Sequence, residues 1–394
     1  MRLEATGTAA RLDHRVIGRI ATADSPPEVR EDAVLLWRHE DMATDGDTEG
    51  YLALLTPLPT LPTWARSIPA VTGVEGLEHL QAGDVVLLTP AGFVRILYRR
   101  HSEHNFLLVA QDCNSYCLMC SQPPRPSDDI GRVHEHLRLI DLVDPGTREL
   151  GLTGGEPTLL RDHFLEIVQR CKSRLPGTAL HVLTNGRLFF YNKFAERLGA
   201  IGHTNLMLGI PLYSDVDSEH DYVVQAKGAF DQTVVGLNHL ARYGVPIEIR
   251  VVLHRQTYQR LPRLAEFVVR NFPFVRQVVL MGLEFTGLTL THPDDLWIDP
   301  AEYQGQLREA TAYLHAAGLR VRIYNHQLCV LDQSLWQFAA QSISDWKREY
   351  LSCCGSCAVR SACGGVFATS RGRHSEHIKP FSGTAAIGPA LISR

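Results

Sequence analysis

An α/β fold wound on parallel strands is what this sequence predicts, and three observations predict it. From about residue 105 to 290, apolar runs of strand length alternate six times with stretches of helical periodicity. Ahead of them, residues 1–104 carry short β-like runs broken by Pro and Gly, and no repeat of fixed period runs through the chain. With 45% hydrophobic and 21% charged residues over 394 positions, there is apolar material for more than one core.

Each element follows from its own residues. In 1–104 the strand candidates are Ala33 to Trp37, Tyr51 to Leu55, Asp84 to Thr89 and Gly92 to Tyr98, with a loop at Leu58-Pro59-Thr60-Leu61-Pro62. They predict a small β-rich domain. In 105–290 the candidates are Phe106 to Ala110, Glu149 to Thr153, Leu180 to Thr184, Leu206 to Pro211, Ile247 to Leu253 and Gln277 to Met281. Helical stretches lie between them, for example Leu159 to Leu175, where Phe164, Ile167, Val168, Cys171 and Leu175 mark one apolar face. Strand-then-helix units in series imply parallel strands with right-handed crossovers, in an open or closed barrel whose chemistry sits at the C-terminal strand ends. Residues 291–370 add helices near Pro300 to Ala317 and Ser334 to Tyr350, a strand Arg320 to Tyr324 and a second cysteine group. Residues 371–394, rich in Gly, Ser and Ala without periodicity, read as a mobile tail.

Composition narrows the function. Lys and Arg number 39 against 43 Asp and Glu, a net charge of −4 with no basic block, which argues against a chain that coats nucleic acid. No apolar run approaches the roughly 18 residues of a membrane-spanning helix, and the first residues lack a secretory pattern. The expectation is a cytoplasmic protein with neither membrane nor nucleic acid as partner. There, nine cysteines of odd count are poor material for a disulfide framework, and a clustered subset reads as metal or redox ligands.

The strongest signal is Cys113-Asn-Ser-Tyr-Cys117-Leu-Met-Cys120, directly after the first strand of the alternating region. Three thiolates in a loop at a strand's C-terminal end can wrap one face of a cubane iron–sulfur cluster and leave one iron open to a substrate. The bland alternative is a zinc site or buried thiols, although structural zinc wants four protein ligands and no fourth follows closely. The second signal is Gly151-Leu-Thr-Gly154-Gly155-Glu156-Pro157-Thr158, at the end of the next strand. Paired glycines allow close backbone approach, and their carbonyls with Glu156 suit a cationic group such as an amine; alone, the motif is also that of a tight turn.

Together these residues resemble the radical S-adenosylmethionine (SAM) enzymes. The resemblance implies a partial (β/α)6 TIM-like barrel over about 105–290, a [4Fe-4S] cluster on Cys113, Cys117 and Cys120, and SAM bound at its open iron with the amine at Gly154, Gly155 and Glu156. Met119 stands where an aromatic residue is usual before the third cysteine, and a Met can still pack against an adenine. The resemblance also extends to Ser214 and Lys227 as contacts to the ribose or carboxylate of SAM, both of residue types common as plain surface or capping groups. Asn185, in Thr184-Asn-Gly186, is a further cofactor candidate or a residue that shapes the turn.

The third signal is Cys353-Cys354-Gly-Ser-Cys357, then Cys363-Gly-Gly, with Cys329 upstream. The spacing resembles the auxiliary-cluster domains called SPASM or, in the one-cluster form, Twitch. Phe367 stands where the full form would place another cysteine, which implies one auxiliary [4Fe-4S] cluster on Cys329, Cys354, Cys357 and Cys363. Zinc in the same four thiolates is the alternative. Cys353 is surplus or competes with Cys354 for one ligand position, and Cys171 reads as core.

At finer grain, Cys113 to Pro124, Ser342 to Lys347 and Cys363-Gly-Gly365 resemble the His-Xaa-Ser system radical SAM maturases of the HxsC type. That resemblance implies oxidative modification, such as cross-linking, of a partner peptide carrying His-Xaa-Ser repeats. It implies as partners a sibling radical SAM enzyme, a small accessory protein and an electron donor such as flavodoxin or ferredoxin. The rivals are a radical SAM enzyme acting on a small molecule or RNA, and a non-catalytic zinc or electron-transfer protein.

Overall fold

Successive side chains of a strand face opposite ways, so strands that are apolar at every position need cover on both sides. In the computed structural model, which describes residues 2–38 and 49–382, the N-terminal strands are Glu4–Thr6 (β1), Thr8–Ala10 (β2), Val16–Ala21 (β3), Ala33–Leu36 (β4), Ala53–Leu55 (β5), Ala70–Thr72 (β6), Val85–Leu88 (β7) and Phe93–Tyr98 (β8). Of these β4, β5 and β7 are of that kind, apolar and buried throughout. All eight strands form one sheet in the order β1-β8-β7-β3-β4-β5-β6-β2. Along β4 and β5, Val34, Leu36, Ala53 and Leu55 enter one core cluster, while Ala33, Leu35 and Leu54 enter another with Trp37.

Seven strands make the second sheet: Phe106–Ala110 (β9), Glu149–Gly154 (β10), Ala179–Leu183 (β11), Leu206–Pro211 (β12), Ile247–Leu253 (β13), Gln277–Gly282 (β14) and Arg320–Tyr324 (β15). Their spatial order is their chain order, with β9 and β15 at the edges. The pairs from β12 to β15 are parallel, with Ile249 opposite both Ile210 and Val278. The connecting helices are Val133–Leu142 (α1), Asp162–Arg174 (α2), Asn192–Ile201 (α3), Asp217–Val224 (α4), Ala229–Arg242 (α5), Leu261–Asn271 (α6), Pro293–Leu296 (α7) and Gln304–Ala316 (α8). This is the parallel α/β sheet that the alternation predicts, lengthened by β15.

The structure falls into two compact units, one of Met1–Val109, Ile130–Gly151 and Glu166–Leu180, the other of Ala110–Asp129, Leu152–Leu165 and His181–Arg394. Within the first, α1 is bonded to the eight-stranded sheet. Arg15 pairs with Glu135 at 2.6 Å, Arg138 with Asp32 at 2.5 Å, and the Arg19 guanidinium donates to the Leu142 carbonyl at 2.9 Å. Every residue singled out for chemistry except Cys171 lies in the second unit.

Two expectations change in the C-terminal part. The helix read over Ser334 to Tyr350 is only a short 3-10 turn, Gln333–Phe338. The chain leaves it because Ala339 adopts an extended backbone, Ala340 donates to the Ile323 carbonyl at 3.0 Å, and the Ser342 hydroxyl accepts from Asn325 N–H at 3.0 Å. Bonds to β15 and the turn after it replace helical ones. Residues 371–382, part of the segment whose composition reads as a tail, are bonded into the second unit: Ser375 donates to Asp299 at 2.7 Å, Arg373 to Asp294 at 2.9 Å, and the Phe381 ring meets Trp336 at 5.3 Å. The rest of that segment, 383–394, lies outside the described residues.

Candidate active site

The loop after β9 is set by its backbone bonds. The Asp129 carboxylate accepts from the N–H groups of Gln111 and Asp112 at 2.8 and 3.0 Å. Tyr116 and Leu118 donate N–H to the carbonyls of Val224 and Val223, at the end of α4, at 3.0 and 2.9 Å. Leu288 donates to the Cys120 carbonyl at 2.9 Å, and beside it Gly287 has φ of 58°, where a Cβ would lie 2.2 Å from that carbonyl oxygen. Met119 is buried among Tyr213, Val223, Val224, Ala229 and Leu296. Its side chain anchors the loop that carries the cysteines.

Burial raises the pKa of all three thiols. Cys113 is pushed up to about 12 by burial and then by the Glu156 charge; Cys117 reaches about 12 by burial and then by Cys120 and Cys113; Cys120 is raised by burial. Half-buried thiols with pKa values raised in this way stay protonated at neutral pH unless a cation replaces the protons. This donor set fits an iron–sulfur cluster: soft ligands on one loop, with mutual repulsion that bound metal would relieve. Among the described residues no three His, Cys, Asp or Glu side chains gather about a single ion; thiolates that each bind a different iron of a cubane need no such common point.

The Gly-Gly-Glu segment ends β10 against this loop. Gly155 N–H donates to the Ala110 carbonyl at 2.9 Å and Glu156 N–H to the Asp112 carbonyl at 2.8 Å. A Cβ on Gly154 would stand 2.0 Å from the Ala110 oxygen, and one on Gly155 2.1 Å from the Asp112 oxygen. The close approach that these glycines permit is therefore to the protein's own chain, one residue ahead of Cys113. Glu156 is fully buried. Its Oε1 accepts from Thr158 N–H at 2.9 Å and from the hydroxyls of Thr158 and Thr184 at 2.6 Å each, and its Oε2 from Asn185 N–H at 2.6 Å. Burial raises its pKa while these donors pull it down.

Asn185 joins this group to the cysteine loop, its Nδ2 donating to Asn114 Oδ1 at 2.6 Å. Ser214 is buried, with its hydroxyl donating to Glu219 at 2.7 Å and accepting from Val216 N–H at 3.1 Å ahead of α4. Lys227 is exposed in the α4–α5 turn, which Asp221 closes by accepting from the N–H groups of Gly228 and Phe230. The structure thus bonds Gly155, Glu156 and Asn185 to the loop segment 110–115 that contains Cys113, with Cys117 and Cys120 further along the same loop, and binds Ser214 locally at the start of α4. Sequence reasoning missed Arg187, whose guanidinium donates to the Asn114 carbonyl, to Ser115 Oγ at 3.0 Å and to Gln232 at 2.7 Å. It also lowers the pKa of Cys113 and Cys117 through its charge. Its place two residues after Asn185, at the same strand end, was the available signal.

A second cysteine site lies in the same unit. Cys329, Cys354, Cys357 and Cys363 all line one cavity, with Tyr350, Ile378 and Lys379 among its walls, and Cys353 is exposed outside it. Burial raises the thiol of Cys354 to about 11 and those of Cys329 and Cys363 as well. The backbone groups of Gly365 and Leu328 oppose that rise at Cys363. Four thiols spread round one cavity, with no common point for a single ion among the described residues, suit a cluster better than one zinc ion. Cys171, by contrast, is a buried thiol on α2 at 1% exposure.

Among the described residues no helix is long and apolar enough to cross a membrane. Curated relatives include a GTP 3',8-cyclase of Rhodococcus opacus, 27% identical over 45% of this chain and 50% of that protein. They also include a PqqA peptide cyclase of Granulibacter bethesdensis, 28% identical over 53% of this chain and 54% of that protein. The chain thus spans about half the length of these two relatives. Among solved structures, Streptococcus suis SuiB bound to S-adenosylmethionine aligns at 15% identity and a TM-score of 0.44, over 59% of this chain and 54% of that one. The radical SAM superfamily model matches residues 107–268, from β9 into α6. This stretch of the chain is a radical SAM domain of parallel α/β architecture.

Proposed function

We propose that the protein is a peptide-modifying radical SAM enzyme of the HxsC type, acting on a partner peptide with His-Xaa-Ser repeats. The observation that carries this reading is the second cysteine site, where four thiols downstream of the radical SAM domain line one cavity. The PqqA peptide cyclase supports a peptide substrate, and the GTP cyclase keeps the small-molecule rival in view.

In this reading Cys113, Cys117 and Cys120 hold a [4Fe-4S] cluster, and Cys329, Cys354, Cys357 and Cys363 hold an auxiliary one. A cluster with one iron open to SAM supplies the electron that splits SAM into methionine and a 5′-deoxyadenosyl radical, which takes a hydrogen atom from the substrate. The chain's own residues do the rest. Glu156 Oε2 has capacity for one donor beyond Asn185 N–H, which suits the SAM amine. Asn185 and Arg187 hold the cysteine loop against the β11 end. Met119 fixes the loop from beneath, beside Tyr213. Lys227 supplies positive charge near the carboxylate of SAM, with Ser214 placing the start of α4. The auxiliary cysteines place an electron acceptor for an oxidised peptide product, with a sibling enzyme, an accessory protein and a flavodoxin or ferredoxin as partners in the cytoplasm.

The test uses anaerobically reconstituted parent and a Cys354, Cys357, Cys363→Ala triple variant. The parent should carry roughly eight irons per chain and the variant about four, four per cubane. Both should cleave SAM. Only the parent, with sibling enzyme and accessory protein present, should lower the mass of a His-Xaa-Ser-repeat peptide by loss of hydrogen. Equal iron in both samples removes the auxiliary cluster, zinc lost by the variant in its place restores the zinc reading, and an unchanged peptide rejects the substrate class.

A further inference from the structure

The segment Ile378-Lys379-Pro380-Phe381 follows the last cysteine by fifteen residues, yet it is part of the second cysteine site. Pro380 restricts Lys379 to extended backbone and fixes its own φ near −65°. In such a chain the N–H groups of alternate residues point the same way, which sets those of 379 and 381 on the side of the cysteines. Phe381 N–H donates to Cys357 Sγ at 3.4 Å, and the backbone of Lys379 lies near enough to Cys329 to lower the pKa of its thiol. The segment is held from both ends. Ala358, next to Cys357, donates its N–H to the Phe381 carbonyl at 2.9 Å. The Phe381 ring packs on Trp336 at 5.3 Å, and Trp336 Nε1 donates to the carbonyl of Leu328, next to Cys329, at 2.9 Å. Ile378 and Lys379 line the cavity that the four thiols share.

We propose that Ile378–Phe381 forms the outer wall of the auxiliary cysteine site, and that its backbone N–H groups, that of Phe381 donated to Cys357 and that of Lys379 beside Cys329, set the reduction potential of the cluster held there. This rests on the auxiliary cluster proposed above. Hydrogen bonds to ligating sulfur stabilise the more negative, reduced state and raise the potential. A potential raised in this way suits a cluster that accepts an electron. The other backbone groups that act on these thiols, Leu328 and Gly365 at Cys363, Leu351 at Cys354 and Cys329 at its own sulfur, belong to the cysteine-bearing segments themselves, whereas this wall follows the last cysteine.

The test compares Lys379→Pro and Phe381→Pro, which delete one N–H each, with Lys379→Ala and Phe381→Ala, which keep the N–H and remove the side chain. All are made in the full chain, reconstituted anaerobically and titrated with dithionite while the reduced clusters are followed by electron paramagnetic resonance. The cluster whose signal does not respond to SAM should shift to a more negative midpoint in both Pro variants and keep its midpoint in both Ala variants, with iron at the parental count. The midpoint of the SAM-responsive cluster should not move. Pro variants with parental iron and unchanged midpoints overturn the proposal, as do Ala variants that shift as far as the Pro variants. A parent holding only about four irons overturns the auxiliary cluster itself, and that result is read from the metal count before any midpoint is compared.

Discussion

At the scale of the residue, Glu156 shows how a side chain proposed for a ligand also holds the protein together. Its carboxylate accepts four hydrogen bonds from Thr158, Thr184 and Asn185 with no water between them. Glu156→Gln retains one acceptor oxygen but sets an amide NH2 against donors that need an acceptor. A buried donor left unmatched costs about 1–3 kcal/mol. The variant should melt a few degrees below the parent and bind SAM more weakly, while iron per chain stays level because no cysteine is touched. Calorimetry, SAM titration and an iron assay on one preparation check this. Iron lost in proportion to SAM affinity would show that the carboxylate supports the cluster and not the ligand. The role of Glu156 was legible as a motif; the hydrogen bonds from Thr184 and Asn185 were not, because they join residues 28 and 29 positions away.

At the scale of the element, the site is a joint between strand ends. Gly155, unlike Gly154 with its φ of 143°, lies outside the positive-φ region, so an Ala there meets no backbone strain and its effect is steric alone. Its Cβ would lie 2.1 Å from the Asp112 carbonyl oxygen. The two chains must separate, which weakens the bonds from Gly155 and Glu156 to Ala110 and Asp112. Overpacking of this kind costs typically about 1–3 kcal/mol. Gly155→Ala should therefore lose iron from the N-terminal cluster, since Cys113 follows Asp112, while Gly305→Ala, which meets nothing within 4 Å on α8, keeps it. Equal iron in both would mean that the joint yields without moving the cysteines. The parallel strands were legible because apolar runs of five to seven residues are a local signal. The 3-10 turn at Gln333–Phe338 was not, because the bonds that end it come from β15 and Asn325.

At the scale of the whole molecule, acid sensitivity follows from three histidines that burial keeps neutral, two of which would lose an Nδ1 acceptor on protonation. His220 Nδ1 accepts from Tyr213 N–H at 3.2 Å, His254 Nδ1 from Gln256 N–H at 3.2 Å, and His326 Nε2 from the Tyr303 hydroxyl at 2.9 Å while its Nδ1–H donates to the Tyr324 carbonyl. Burial, in each case the leading cause, holds their pKa values down to about 4, about 3 and about 4. The unfolded chain has them near 6.5, so between pH 6.5 and about 4 it binds protons that the folded chain refuses. Stability is full above pH 6.5 and falls as pH drops through that window, by about 1.4 kcal/mol per histidine per pH unit, or roughly 4 for the three. Glu248 acts in a different range. Its pKa, lowered to about 2 chiefly by His181 and Arg250 against the opposing effect of burial, gives stability that is full above pH 4.5 and lost only as pH falls toward 2. Urea unfolding at pH 7.5, 6.5 and 5.5 should therefore show a steepening loss. His254→Asn, whose Oδ1 can accept the same N–H, should remove about a third of the slope, while Glu248→Gln should lower stability by a similar amount at all three pH values. A slope unaltered in His254→Asn would mean that the buried ring is not what makes the fold yield to acid.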